Sequence, residues 1–561
     1  MKLRGLVFLL GIICIALWLA ALRPRSATAG GLLLPGAGAV STARAGAAVA
    51  SADDGEALVL NPAGLAKAEG TTITLSAAMI EYAMEFQRRG TYDAVMNENY
   101  PYAGQPFARV KNDASPPVGI GPFAAVPMIA VVTDLGGRWP GLHLAAGLYA
   151  PNGYPFRDLC VEGAGGCQKY VFNENPNIPP PGTRYDIMTQ EAAVIVPSLA
   201  IAYRVVPQLD VGLRLSAGYA RLKATGALWG IPQNFDEDIK KDGILSTDVT
   251  DNFVPGFGIG VAYRPTPHLE LAANYNSELD VHARGTAKST LGPSVNLGGV
   301  PVTIGPRAIA ADILCDSGGT VDALKACGDL AVPRNAQVGA RYKFLDAAGR
   351  LTGDIELDLD WENWSQGCSD KDFIEGTCAS PGNERLTVDA DAYVNGTSVV
   401  ELKSPPIPHG FRDTFGLRLG GSYHIPVGAA RDDGSRDELI VQGGLGYDTA
   451  AARTGWLRAD IDGAARTTIA VGASYRMRRY QISAGGGAIL EGSPSNPNVG
   501  GGATPCNPTA LNMTCNGSTE HQGPDPVSPI VSPNQQALNP VNQGDYKSHY
   551  ILFILGASTW F

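Results

Sequence analysis

The spacing between candidate strands constrains this chain more than any other feature. Period-two alternation of apolar and polar residues, the mark of strands with one buried face, dominates from Thr71 onward. It predicts strands over 71–86, 122–133, 141–150, 190–204, 208–223, 254–264, 268–285, 334–345, 350–364, 411–425, 437–447, 466–477, 479–492 and 546–561. The gaps between these fourteen segments run about 35, 7, 39, 3, 30, 3, 48, 4, 46, 11, 18, 1 and 53 residues. Long and short alternate throughout. An all-β, transmembrane, antiparallel up-and-down β-barrel of about 14 strands has this arrangement, with short periplasmic turns at one end and long extracellular loops at the other. A soluble β-sandwich has no reason to segregate its loops in this way.

Side-chain alternation assigns the two faces of the wall. Ala336, Val338, Ala340, Tyr342 and Phe344 share one face, and Gln337, Gly339, Arg341 and Lys343 the other. Ile355, Leu357, Leu359 and Trp361 alternate with Asp354, Glu356, Asp358, Asp360 and Glu362. Phe415, Leu417, Leu419 and Tyr423 stand against Arg418 and Ser422, and Ile469, Val471, Ala473 and Tyr475 against Thr468, Ser474 and Arg476. Apolar residues toward lipid and polar residues toward a wet lumen account for the pattern. Closure removes the strand edges that hydrocarbon does not tolerate. The last strand places Ile551, Phe553, Leu555, Ala557 and Thr559 on one face and ends at Phe561. This ending resembles the C-terminal signal of bacterial outer-membrane barrels.

Composition excludes the competing classes. With 43 Lys+Arg against 54 Asp+Glu, the formal net charge is −11, the opposite of what a nucleic-acid binder needs. Hydrophobic residues make up 45% of the chain, too many for a disordered protein. A helical membrane protein would repeat apolar runs of ~20 residues, and only Gly5 to Leu22 forms one. That run follows Lys2 and Arg4 and precedes Ala27-Thr28-Ala29. Residues 1–29 therefore read as a secretory signal, cleaved to leave Gly30 first; an uncleaved anchor is the alternative.

Beyond the signal, eight cysteines fall into four local pairs: Cys160 with Cys167, Cys315 with Cys327, Cys368 with Cys378, and Cys506 with Cys515. An even count in an exported chain points to disulfides. All four pairs sit in long gaps, which places them outside the cell, where oxidised sulfur persists. The competing reading is a metal site. The chain has no C-x-x-C spacing and only seven scattered His, so no metal is expected.

Residues 30–70 precede the first strand and are too long for a tail on a minimal barrel. Ten of the fifteen residues from Gly36 to Ala50 are Gly or Ala, a composition suited to close packing inside a lumen. Gly36-Ala37-Gly38 through Ala43-Arg44-Ala45-Gly46, followed by Asn61-Pro62-Ala63-Gly64-Leu65-Ala66, resembles the N-terminal hatch of the long-chain fatty-acid and aromatic-hydrocarbon transporters (FadL/TodX type). Asn61, Pro62 and Ala63 are the most recognisable part. Val196-Pro197-Ser198 through Tyr203, Gly256-Phe257-Gly258 through Tyr263, Ala273-Asn274-Tyr275-Asn276-Ser277, Trp361-Glu362-Asn363-Trp364-Ser365 and Phe411-Arg412-Asp413-Thr414-Phe415 resemble later segments of that family. Phe415 stands where the family often has Trp.

The resemblance implies a hatch at 30–70 within a barrel at 71–561. It also implies passive transport of hydrophobic small molecules by a monomer in the outer membrane of a Gram-negative bacterium, in contact with lipid and without a cofactor. Capture at the outer loops, hatch rearrangement and sideways release at a kink in the third strand are the steps implied. Long-chain fatty acids are the first substrate class and aromatic hydrocarbons the alternative. The third strand runs out at Pro151, Asn152 and Gly153, and Pro and Gly both weaken a ladder, so the kink is expected there. A structural or adhesive surface barrel and an open porin are the rival functions.

Two charged groups remain. Asp354, Glu356, Asp358 and Asp360 could be metal ligands or acid/base groups, but cross-strand pairing with Arg341 and Lys343 explains them, with Arg341 opposite Asp354. Arg341, Lys343, Arg418 and Arg476 are the candidate partners for a ligand carboxylate. No G-x-S-x-G, P-loop or H-E-x-x-H motif is present, so no enzyme activity and no catalytic residue is expected.

Overall fold

Fourteen strands close into one antiparallel barrel. They are β1 Thr71–Arg88, β2 Phe123–Thr133, β3 Leu142–Tyr149, β4 Thr189–Val206, β5 Leu209–Leu228, β6 Gly243–Tyr263, β7 in two segments (Leu269–Asn276 and Leu279–Leu291), β8 in two segments (Leu324–Val332 and Asn335–Leu345), β9 Leu351–Glu362, β10 Thr414–Val427, β11 Asp437–Asp448, β12 Arg466–Arg476, β13 Tyr480–Gly492 and β14 Gly544–Trp560. The computed structural model describes residues 33–561 except 96, 152, 164, 173, 229–236, 310–312, 366–382, 403–406, 410, 432–435, 453–456, 462 and 497–543. The signal segment, Gly30, Asn152, Cys368, Cys378, Cys506 and Cys515 lie outside the described residues.

The seam is a continuous ladder from Thr72 opposite Trp560 to Arg88 opposite Gly544, so β1 and β14 expose no edge to lipid. Thr71 and Phe561 exchange backbone hydrogen bonds of 3.3 and 3.0 Å at the end where the connections 207–208, 264–268, 346–350 and 477–479 are short. Short turns mark the periplasmic end. The outward side chains are the apolar set of the sequence pattern: Val338, Leu357, Leu359, Phe415, Val471, Phe553 and Leu555 are all exposed.

Two strands start earlier than the alternation predicts, β6 at Gly243 and β8 at Leu324. Both cross a point where the pattern changes phase. The β5–β6 register shifts between Asp251 and Val254, so the inward residues change from Val249 to Val254. Ser277-Glu278 and Pro333-Arg334 break β7 and β8 at the same level. A bulge flips every side chain beyond it, which hides the extracellular halves from a period-two reading. Those halves join Val300–Pro306, Asn383–Val394 and Thr397–Glu401 around a core that includes Val249, Val281, Leu324 and Val388. Cys160 and Cys167 are disulfide-bonded, as are Cys315 and Cys327, each with Cα atoms 5.5 Å apart. Cys327 sits on β8 rather than in the preceding loop.

The lumen also departs from a uniformly polar lining. Ile80, Tyr82, Met84 and Phe86 of β1 and Tyr550, Leu552 and Ile554 of β14 are buried in one apolar cluster. Ala450, Ala451, Leu457 and Ile461, between β11 and β12, supply the other side of that cluster. The lumen is filled with protein here, so its lining follows the rules of a core. Leu555→Arg on the lipid face is expected to destabilise the barrel by about 2–4 kcal/mol, read from denaturant unfolding in liposomes, while Leu555→Ile leaves the midpoint unchanged.

Candidate ligand passage

The amino-terminal segment occupies the periplasmic half of the lumen. It comprises α1 (Ala39–Ala43), α2 (Ala57–Leu60) and a 3₁₀ turn over Pro62–Lys67. Ala43, Ala45, Ala47, Ala50 and Leu58 are fully buried. Small residues on both sides allow this contact. A Cβ on Gly444 of β11 would lie 2.1 Å from the Arg44 carbonyl oxygen, and one on Gly260 of β6 would lie 2.0 Å from Asn61 Oδ1. Asn61 caps the 3₁₀ turn by accepting from the Ala63 N–H at 3.1 Å, and Pro62 starts that turn with its fixed φ. The Asn61 Nδ2 donates to the carbonyls of Val49 at 3.0 Å and Val261 at 3.3 Å. The Asn-Pro-Ala step thus ties the segment to itself and to β6.

The carboxylate row of β9 holds the opposite side. Arg44 bridges Asp354 and Glu356 at 2.9 Å each. Asp358 Oδ2 accepts from the N–H groups of Ala48 at 2.8 Å and Val49 at 3.1 Å, and Glu356 Oε1 from those of Ala50 at 2.6 Å and Ser51 at 3.2 Å. Arg341 pairs with Asp354, but the ladder places it opposite Glu356 and puts Lys343 opposite Asp354. The turn is centred between Ala348 and Gly349, one residue further on than the alternation suggests. The carboxylates therefore serve the plug as well as neighbouring strands.

The lumen has two unlike sides. Charged groups face the plug from β7, β9 and β10. On the other side, Met128, Ala130, Val132, Ala145, Tyr149, Val196 and Ala200 of β2–β4 pack against Leu58, Leu60 and Leu65 of the plug. The wall breaks on this apolar side. β3 leaves its ladder after Tyr149, which is opposite Val196, and the chain returns to β4 only where Phe156 meets Glu191. Pro151 and Gly153 lie in that break. Tyr154 turns inward, and its hydroxyl donates to the Pro122 carbonyl at 2.7 Å.

Two cavities flank the plug. One of about 140 Å³ is bordered by Leu34, Val59, Leu60, Tyr149 and Pro151 on one side and by Arg214, Asp360, Glu362 and Arg418 on the other. The other, of about 330 Å³, lies toward the periplasm and is lined by Asp53, Asp54, Glu56, Arg341, His424 and Arg476 among others. Arg418 is paired with Asp360 and with Asp448. Lys343 lies 3.9 Å from Glu270, and Arg476 donates to Gln481 at 2.7 Å. Arg214 escapes the sequence pattern. It donates to the carbonyls of Leu58 and Val59 and to Asn276 Oδ1, and stacks over Tyr149 at 5.4 Å. Its buried Nε has no partner among the described residues. No sequence signal singled it out, because one Arg in an alternating strand looks like any lumenal cation.

Extracellular segments close the other end. Arg88 pairs with Glu237 and Arg184 with Asp242, all buried. Ala459 is held by Arg157 and Asp186, and His409 pairs with Asp460 at 3.0 Å.

A closed fourteen-stranded wall with a lumen filled from its amino end defines a plugged β-barrel of the Gram-negative outer membrane. The chain belongs to the outer membrane protein transport protein family (OMPP1/FadL/TodX), whose model matches residues 183–487. Its fold is similar to the crystal structure of a Pseudomonas aeruginosa FadL homologue, with a TM-score of 0.61 and 14% identity over 95% of this chain and 100% of that one. The Ralstonia pickettii toluene transporter TbuX gives 0.55 and 14% over 94% and 99%, and the P. putida toluene transporter TodX 0.53 and 13% over 94% and 99%. No curated protein matches the chain. The family supports transport of hydrophobic molecules through the outer membrane, and its members are channels rather than enzymes.

Two outcomes test the plug. Removing one partner of a buried pair costs about 3–5 kcal/mol, so Glu356→Ala is expected to unseat the segment. Planar bilayers should then show steady conductance where the parent shows little. The second concerns Asp54. Burial and the neighbouring Glu56 and Asp53 charges push its carboxyl up to about 8, whereas a released segment titrates near the ordinary ~4. The seated form holds the proton more tightly, so this contribution to seating is complete below ~4 and is lost as pH rises through 8. Protease protection of residues 33–67 should be higher at pH 5 than at pH 9, and Asp54→Asn should flatten the difference.

Proposed function

We propose that this protein passes hydrophobic small molecules, long-chain fatty acids first among them, from the cell exterior into the outer leaflet. The observation that carries this reading is the break in the wall after Tyr149, on the side where Leu58, Leu60 and Leu65 of the plug pack against β2–β4. The cavity beside that break is bordered by Leu34, Val59, Leu60 and Pro151 on this side and by Arg214, Asp360, Glu362 and Arg418 on the other, and the cavity toward the periplasm is lined by carboxylates and cations. An apolar ligand loses about 0.8 kcal/mol per CH₂ on entering water, so sideways release at residues 150–155 is favoured over the charged exit. The outer loops capture the ligand, the plug shifts on its apolar side, and the break lets it leave.

Arg214 is the candidate partner for a fatty-acid carboxylate, ahead of Arg341 and Arg418, whose charges are already met. Arg476 and Lys343 are placed toward the periplasmic side. A second reading, uptake of aromatic hydrocarbons, is favoured by the compactness of the 140 Å³ cavity and by the toluene transporters among the similar folds.

Uptake of radiolabelled oleate and toluene by a Gram-negative host lacking its own transporter tests the reading. Expression should raise uptake of at least one compound several-fold. Gly153→Trp should reduce it without impairing barrel assembly, and Arg214→Ala should reduce oleate uptake more than toluene uptake. No gain for either compound contradicts the proposal.

A further inference from the structure

The wall has a second discontinuity, between β6 and β7. Thr250 is paired with Arg284, and Gly258 with Asn276. Between those pairs, residues 251–257 form no ladder with 277–283. The strands are tied only near the ends of the gap. Ser277 N–H donates to the Phe257 carbonyl and Phe257 N–H to Ser277 Oγ, both at 2.9 Å, while His282 N–H donates to Asp251 Oδ2 at 2.8 Å. The flanking side chains are apolar and face outward: Phe253 is 67% exposed and Phe257 39%.

The interior side of this gap is the cavity already described. The same 140 Å³ space that touches Tyr149 and Pro151 reaches Phe257, Ser277 and Leu279. Leu279 lies across the opening. A Cβ on Gly256 would come within 2.6 Å of Leu279 Cδ2, so the glycine leaves the space that the leucine fills. Leu279 thus stands beside Phe257, which both borders the cavity and is exposed on the outer face.

We propose that this gap is a second lateral portal, gated by Leu279, through which uncharged apolar molecules pass between the cavity and the outer leaflet. It rests on the transport reading above and adds a route and a selectivity to it. The selectivity comes from the rim. Glu278 Oε2 is buried without a partner among the described residues; on the same stretch of the two strands Asp251 accepts from the His282 N–H and Asp280 pairs with the His282 ring at 3.2 Å. An anionic headgroup would meet the Glu278 charge as it lost water, whereas a neutral hydrocarbon carries no such penalty past Phe257, Leu279 and Phe253.

The test uses the full-length protein in liposomes containing a phospholipid with a maleimide at the end of one acyl chain. A single cysteine replaces Val332, which lines the cavity, and protein without this cysteine gives the background. Labelling of Val332→Cys should fall at least tenfold with Leu279→Trp, rise with Leu279→Ala, and stay within about twofold with Gly153→Trp. Heat-shifted mobility on gels confirms folded barrels, and the opposite signs of the two Leu279 variants separate gating from damage. Labelling indifferent to residue 279, or abolished by Gly153→Trp alone, overturns the portal. In uptake assays, Leu279→Trp should lower toluene entry at least threefold more than oleate entry; equal loss of both overturns the selectivity. If the parent protein carries neither compound, the transport reading fails, while the labelling still decides whether the wall opens at Leu279.

Discussion

The structure depends on a row of carboxylates that would be intolerable without its partners. Asp354, Glu356 and Asp358 are buried on β9, and like charges at this spacing repel strongly in a water-poor interior. Arg44 and four successive backbone N–H groups, those of Ala48 through Ser51, arrive from the amino-terminal segment and meet them. The wall on that side therefore needs the plug. Buried ion pairs contribute little net stability but penalise their own disruption heavily. They suit a part that has one seated position and leaves it rarely.

The opposite side of the plug is held differently. The side-chain contacts of Leu58, Leu60 and Leu65 with β2–β4 are non-directional, and the hydrogen bonds on this side, from His143, Arg204 and Arg214, reach backbone carbonyls of the plug rather than a row of buried charges. The β3 break lies on that side. The asymmetry links packing to the proposed function: polar contacts fix one edge of the plug, and an apolar surface beside a gap in the wall would accept a greasy ligand. The extracellular cluster of Tyr82, Tyr154, Tyr550 and Leu552 continues the apolar side upward, toward the loops that would first meet such a ligand.

Much of this was legible in the residues. Strict alternation in β9, β12 and β14 reports the barrel directly, since lipid and lumen impose opposite chemistry on successive side chains. The Gly- and Ala-rich run before Thr71 reports close packing, and Asn61-Pro62-Ala63 reports a capped turn. The extracellular halves of β6 and β8 were hidden, because the bulge at Asn252-Phe253 and the strand break at Pro333-Arg334 reverse the phase that makes a strand visible. The inward Ile80 and Leu552 broke the expectation of a wet lumen, since sequence pattern cannot tell a filled bore from an open one. Arg214 was invisible for a related reason. Its significance lies in three partners on the plug, β3 and β7, and only the folded chain brings these together.

The central claim is that a hydrophobic ligand travels along one side of a two-sided lumen. Photoaffinity labelling with a diazirine-bearing alkane, mapped by mass spectrometry on the intact barrel, tests it most directly. The account predicts adducts on α2 and on the inward residues of β2–β4, among them Leu58, Met128 and Tyr149. Adducts concentrated on the inward faces of β9–β12, or spread evenly around the lumen, would contradict it.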